Sequence, residues 1–291
     1  MDQANQLRII KASRQSRPVA RVITVTSGKG GVGKSNVAIN LAIQFRKMGQ
    51  KVIILDADFG LANIEIMFGA VPKHNLCDLI YKGKNIKEII TWGPMDVGFI
   101  SGGSGIAGMS NLNRDYLNYI VQNLAQLDSI TDILIVDTGA GISDAVMEFL
   151  VASGEILLVT TPEPTSITDS YSLLKALYRH PRFHEEVTKV KMIANRVDKE
   201  TEGQILFSKL NAVVTRYLKI PMTYLGCVPE DPHLTRAVMQ QTPVSIQNPG
   251  ARSTAAYEKM AKQLLGREEE ERQPRRGMAA FFSHIMLGKR E

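Results

Sequence analysis

The chain has 291 residues, 44% hydrophobic and 22% charged, which is the balance of a folded globular protein and excludes a disordered or fibrous one. The two cysteines, Cys77 and Cys227, stand far apart and outside any CxxC pair, which argues against a disulfide framework and a thiolate metal site. No run approaches the ~18 consecutive apolar residues of a membrane span, the N-terminus lacks an apolar signal core, and a formal charge of +6 favours anionic partners, so a cytoplasmic protein is expected.

In chain order, residues 1–20 (MDQANQLRIIKASRQSRPVA) are basic, contain Pro18 and precede the first strand, so they read as an appended interaction segment. Within it Ala4, Leu7 and Arg8 share one face of a helix, as do Leu7, Ile10 and Lys11. Residues 21–266 alternate short apolar runs with helical patterns. The run Val22 to Thr26, a glycine-rich turn, a helix over 34–48 and the strand KVIILDAD make a βαβ opening. Further strands are expected at Val97 to Ile100, Asp132 to Asp137, Glu155 to Thr160, Val190 to Ala194 and Thr223 to Val228. Helices are expected over 113–127, 143–152, 166–179, 201–217, 231–240 and 251–265. Apolar runs of this kind suit a mostly parallel central sheet covered by helices on both faces, a three-layer α/β domain. Residues 267–276, REEEERQPRR, form a charged linker. In 277–291, Met278, Phe281, Phe282, Ile285 and Met286 gather on one side of a helix, with Ser283, His284 and Lys289 elsewhere. Such a C-terminal amphipathic helix can lie in a bilayer interface, with Arg275, Arg276, Lys289 and Arg290 meeting anionic lipids, or it can cover an apolar surface of its own domain.

The segment Gly28-Lys29-Gly30-Gly31-Val32-Gly33-Lys34-Ser35, followed by Asn36, fits GxxxxGK[ST] and stands between a strand and a helix. Glycines allow the positive φ angles that wrap successive backbone N–H groups around phosphates, while the helix N-terminus faces the anion. Lys34 is placed to reach the β- and γ-phosphates of ATP and Ser35 to ligate Mg²⁺. Asp137 closes the apolar strand DILIVD, where a carboxylate can hold Mg²⁺ directly or through water, and the glycines of Thr138-Gly139-Ala140-Gly141 leave the next loop free to rearrange. Asp56 and Asp58 end the second strand, at the sheet edge where ligands gather. Asp56 is a further candidate for the metal, and one of the pair could orient the attacking water.

With its second lysine, Lys29, with DADFGLAN and with Asp137, the sequence resembles the deviant Walker-A ATPases, the group of MinD, ParA, the iron protein of nitrogenase and the arsenite-pump ATPase. The resemblance covers roughly residues 20 to 265 and implies a P-loop ATPase that forms a homodimer with ATP between the subunits. It assigns Lys29 to the partner's nucleotide, Asp58 to positioning water, and Asn195, Arg196, Pro229, Glu230 and Asp231 to the adenine. The chain is most similar to the flagellar-number regulators of the FlhG group (FleN, YlxH): Asp2-Gln3-Ala4 with Leu7-Arg8 looks like that group's N-terminal motif, the segment DADFGLANIEIMFG fits, and so does the amphipathic tail. The resemblance implies ATP/ADP and Mg²⁺ as cofactors, ATP-driven attachment to membrane lipids, low intrinsic turnover, and partnership with an FlhF-type GTPase and flagellar C-ring proteins.

A ParA-like DNA-positioning ATPase is the alternative reading; the tail argues against it, and no direct nucleic-acid contact is expected. An iron–sulfur carrier is disfavoured by the cysteine spacing, and a scaffold that holds nucleotide without turnover is a third possibility. His180, His184 and His233 lack metal-ligand spacing, and the lone Trp92 is expected to pack against a loop.

Overall fold

The computed structural model describes residues 19–58, 63–102, 122–266 and 277–287. The expected interaction segment at 1–18, the linker at 267–276 and most of the expected helix at 113–127 lie outside them. Eight strands form one sheet in the order β3-β4-β2-β5-β1-β6-β7-β8. They are β1 (Arg21–Ser27), β2 (Val52–Ala57), β3 (Thr91–Trp92), β4 (Gly98–Ser101), β5 (Ile133–Ala140), β6 (Glu155–Thr160), β7 (Lys189–Val197) and β8 (Met222–Pro229). All pairings are parallel except β3 with β4.

The strands read as continuous apolar runs because both faces are covered, and the period of two is still present. Along β2, Val52 and Ile54 enter one core while Ile53, Leu55 and Ala57 enter another. On β5, Ile133 and Ile135 face the first, and Leu134 and Val136 the second. The first core is closed by α1 (Lys34–Lys47) and α9 (Arg252–Gly266), the short α2 (Asn63–Phe68) and α8 (Val244–Gln247), and α7 (Pro232–Met239). α1 buries residues around its whole circumference, Val37 through Phe45, as befits a helix enclosed on all sides.

On the opposite face, α3 (Leu76–Lys82) and α4 (Asp144–Ala152) cover one end of the sheet. α5 (Pro164–Tyr178) and α6 (Glu200–Tyr217) cover the other. The tail forms α10 (Gly277–Leu287), which docks beside α4: Met278, Phe281, Phe282 and Ile285 are all buried in the same cluster as Phe149, Leu124 and Leu127. The Phe149 and Phe281 rings lie 6.3 Å apart. Polar contacts fix both ends of this helix. Asp128 Oδ1 accepts from Ala20 N at 3.1 Å and from Met278 N at 3.2 Å, and Arg182 donates to His284 O at 2.9 Å and to Glu148 at 2.6 Å. Of the two placements open to the tail, the domain-covering one is the one described, and Met286's side chain lies outside the described residues.

Candidate functional site

At the carboxyl edge of the sheet, β1 runs into the loop 28–33 and then α1, whose N-cap is Gly33 with φ 96°. Gly28 is required by packing. A Cβ there would lie 2.1 Å from the Asp169 carbonyl carbon of α5, which is backbone and cannot yield. Gly31 and Gly33 are required by conformation, at φ 75° and 96°.

Parallel pairing places β2 and β5 side by side with Asp56 opposite Asp137. Asp137 is fully buried, and neither of its oxygens takes a hydrogen bond of good geometry, although Ser35 stands beside it. Burial pushes its carboxyl up to about 6, against the pull of Ser35 and Lys34. Asp56 is also buried and rises to about 7, by desolvation first and by the Asp137 charge second. Its oxygens already accept Asp58 N at 3.2 Å and Ile64 N at 3.3 Å. Asp58 is held by Asn63 Nδ2 at 3.3 Å, and a Cβ on Gly139 would sit 3.6 Å from its Oδ1, so it faces the carboxyl end of β5. Lys34 is 8% exposed; burial lowers its pKa while Asp137 and Asp58 oppose the shift. The loop after β5 touches the P-loop entrance through Gly141 N, which donates to Ser27 O at 3.0 Å.

Lys29 points away from its own cradle. Its Nζ donates to Glu163 Oε2 at 2.6 Å and to Thr165 Oγ1 at 2.8 Å, at the start of α5, and it stays a third exposed. Glu163 and Thr165 were not singled out by the sequence. Pro164 at the first helical position is the only local signal near them.

The family model described as "ParA: NUBPL iron-transfer P-loop NTPase" matches residues 18–265. The Antiactivator FleN of Pseudomonas aeruginosa is 37% identical over 244 residues, covering 84% of this chain and 86% of that one. The chain belongs to the ParA/MinD family of P-loop NTPases. Within the family it stands with the FlhG group: the Flagellum site-determining protein YlxH of Helicobacter pylori is 32% identical over 270 residues, 91% of this chain and 90% of that one. Septum site-determining MinD from Pyrococcus horikoshii, solved with Mg-ADP, shares the fold at a TM-score of 0.66 and 22% identity, over 84% of this chain and 96% of that one.

The residues that the sequence offered as adenine contacts gather near the P-loop, and the structure commits several of them to other tasks. Asn195 donates to Val32 O at 2.7 Å, and Arg196 to Gly31 O at 2.8 Å, so both grip the P-loop itself. The Asp231 carboxylate caps α7 through His233 N at 2.9 Å and binds Ser253 N and Oγ at 3.0 and 2.9 Å. Pro229 ends β8, and Glu230 N donates to Val197 O at 2.9 Å, which brings this stretch to the same edge. Asn36 lies in the first turn of α1. The donor set of Asp137, Asp56 and Ser35 fits a hard divalent cation, because a buried carboxylate without hydrogen bonds gains most from one. Cys77 and Cys227 are both free, Cys227 is buried with its thiol pushed up to about 11, and among the described residues no group of three His, Cys, Asp or Glu could hold a metal.

Proposed function

We propose that this chain is an Mg²⁺-dependent ATPase switch that dimerises with ATP, attaches to the membrane through its tail, and regulates flagellar number and placement. The observation that carries the reading is Lys29. A second lysine in the phosphate loop that rests on Glu163 and Thr165 and stays partly exposed supports the reading that it serves a nucleotide on another copy. The flagellar role rests on the names of the FleN and YlxH relatives. The GTPase of the FlhF type and the C-ring proteins are proposed as partners on the FlhG resemblance, through the N-terminal motif at Asp2, Gln3, Ala4, Leu7 and Arg8.

In this mechanism the backbone N–H groups of 28–34 and the Lys34 ammonium bind the β- and γ-phosphates. Ser35 and Asp137, with Asp56 behind them, would hold Mg²⁺, which neutralises phosphate charge when bound. Asp58 stands next to Gly139 at the end of β5 and orients the attacking water, while Lys29 stabilises the charge that develops on the partner's phosphates. Loss of the γ-phosphate frees the 141–143 loop, and α4 begins directly after it. Because α10 packs on α4, a shift there can bias the tail between docked and released states, and two tails released on one dimer bind a bilayer far more strongly than one.

Size-exclusion chromatography with light scattering tests the core of the proposal. Wild type should be a monomer with ADP and a dimer with ATP, and Asp58→Ala should hold the ATP dimer longer. A monomer under every condition removes the switch while leaving nucleotide binding intact.

A further inference from the structure

A loop that turns successive N–H groups inward to an anion turns the intervening carbonyls outward, and buried carbonyls need donors. Here the carbonyl of buried Val32 and that of its exposed neighbour Gly31 both take donors from the tip of β7. Asn195 Nδ2 reaches Val32 O at 2.7 Å in a buried contact, and Arg196 Nη2 reaches Gly31 O at 2.8 Å. Asn195 is 3% exposed, and its side-chain oxygen accepts Arg196 N at 3.0 Å. The fit is tight. A Cβ on Gly33 would lie 2.4 Å from Asn195 Nδ2, so the amide abuts the residue at which the loop becomes helix. Arg196 adopts the left-handed region at φ 57°, which a non-glycine residue keeps only where its surroundings over-determine it. Strand β7 lies one strand from β1, with β6 between them, which brings this tip within reach of the loop 163 residues earlier in the chain.

We propose that Asn195, assisted by Arg196, is a positioning residue for the phosphate cradle: by holding the Val32 and Gly31 carbonyls outward it keeps the loop N–H groups aimed at the polyphosphate before any ligand arrives. The amide has a second N–H and a further lone pair. It can therefore contact a base at the same time, and base recognition and cradle geometry then share one side chain. A ligand that tightens one tightens the other. The inference rests on the ATPase-switch reading only in taking a polyphosphate as the ligand.

Hydrogen–deuterium exchange on the ligand-free chain tests it directly. In Asn195→Ala the segment 28–36 should exchange faster than in wild type, with β1 and β6 unchanged. Calorimetry with Mg²⁺ then compares ATP with inorganic tripolyphosphate, which has no base. Affinity for both should fall about tenfold, the effect of one buried hydrogen bond. Arg196→Ala, which removes an exposed side chain, should act in the same direction by a smaller factor and serves if Asn195→Ala does not fold. Wild-type exchange in the loop overturns the proposal, as does an unchanged tripolyphosphate affinity beside a weakened ATP affinity, which would make Asn195 a base contact alone. Wild type binding neither ligand would sink the switch reading instead, and the exchange comparison would still decide this one.

Discussion

Asp137 shows how a single side chain can be set against stability in favour of a ligand. Its carboxyl is fully buried, stands opposite Asp56 and lies near Asp58, so ionising it costs the ligand-free fold. Because its folded pKa is raised from 3.8 to about 6, stability is fully present below the unfolded value and is lost as pH rises from about 4 through 6. A shift of this size is worth on the order of 2–3 kcal/mol at neutral pH, and Asp56, raised to about 7, extends the loss upward. Asp137→Asn should therefore melt higher than wild type in ligand-free buffer at pH 7.5 and show a flatter stability profile between pH 5 and pH 7.5. It should gain nothing from Mg²⁺ and ATP, whereas wild type is stabilised by them. Thermal denaturation with and without Mg-ATP checks both halves, and a variant that is less stable than wild type without ligand would show that the carboxylate is structural.

The elements carry a second lesson in how distant strands are locked. At the amino edge of the sheet, Glu155 of β6 binds Arg21 of β1 at 2.8 and 3.0 Å and Lys191 of β7 at 2.5 Å, and Arg21 also donates to Leu264 O of α9 at 2.8 Å. Burial alone would raise the Glu155 carboxyl, but the Arg21 and Lys191 charges hold it below its ordinary 4.5. A depressed pKa contributes stability above the unfolded value that disappears as pH falls through the folded one. Glu155→Ala leaves two cations facing each other at an edge shared by three strands and a helix, and it should cost about 3–5 kcal/mol in urea unfolding at pH 7. The penalty should shrink below pH 4. A cost under about 1 kcal/mol would mean that water already compensates the cations.

The same elements show what the sequence makes legible. Strands buried on both faces and helices of two turns or more announce themselves through local pattern, and expected runs such as Glu155 to Thr160 and the helix at 201–217 match β6 and α6 to within a residue or two. β3 is two residues long, and α2 and α3 are six and seven, too short to show a period. α3 does carry a capping box from Asn75 to Asp78, a signal readable in principle. The P-loop was legible because its chemistry is contiguous. The grip of Asn195 on Val32 and of Glu163 on Lys29 was not, because each depends on the order β1-β6-β7, which no local pattern encodes.

At the scale of the whole molecule, the question is whether the docked tail is a permanent part of the core or one arm of an equilibrium. Four buried side chains on α10 favour docking, since each contributes about 1.5–3 kcal/mol as an upper bound. Against them stands the entropy of ordering the helix and its connection. The polar fastenings then decide the balance, and they can be removed without touching the apolar side that a bilayer would receive. Asp128→Ala frees the Met278 and Ala20 amides, and Arg182→Ala frees the His284 carbonyl and Glu148. Each loss is worth about 1–2 kcal/mol, enough to raise the released fraction roughly 5–30-fold. Flotation on vesicles containing anionic lipid should show wild type bound with ATP and largely free with ADP, both variants bound in a larger fraction than wild type with ADP though still less than with ATP, and a chain truncated after 266 free in either nucleotide. If the truncated chain floats as well as the intact one, the tail is not the anchor. If the variants stay free with ADP while wild type responds to ATP, release is driven at the dimer interface and the two fastenings are only local packing.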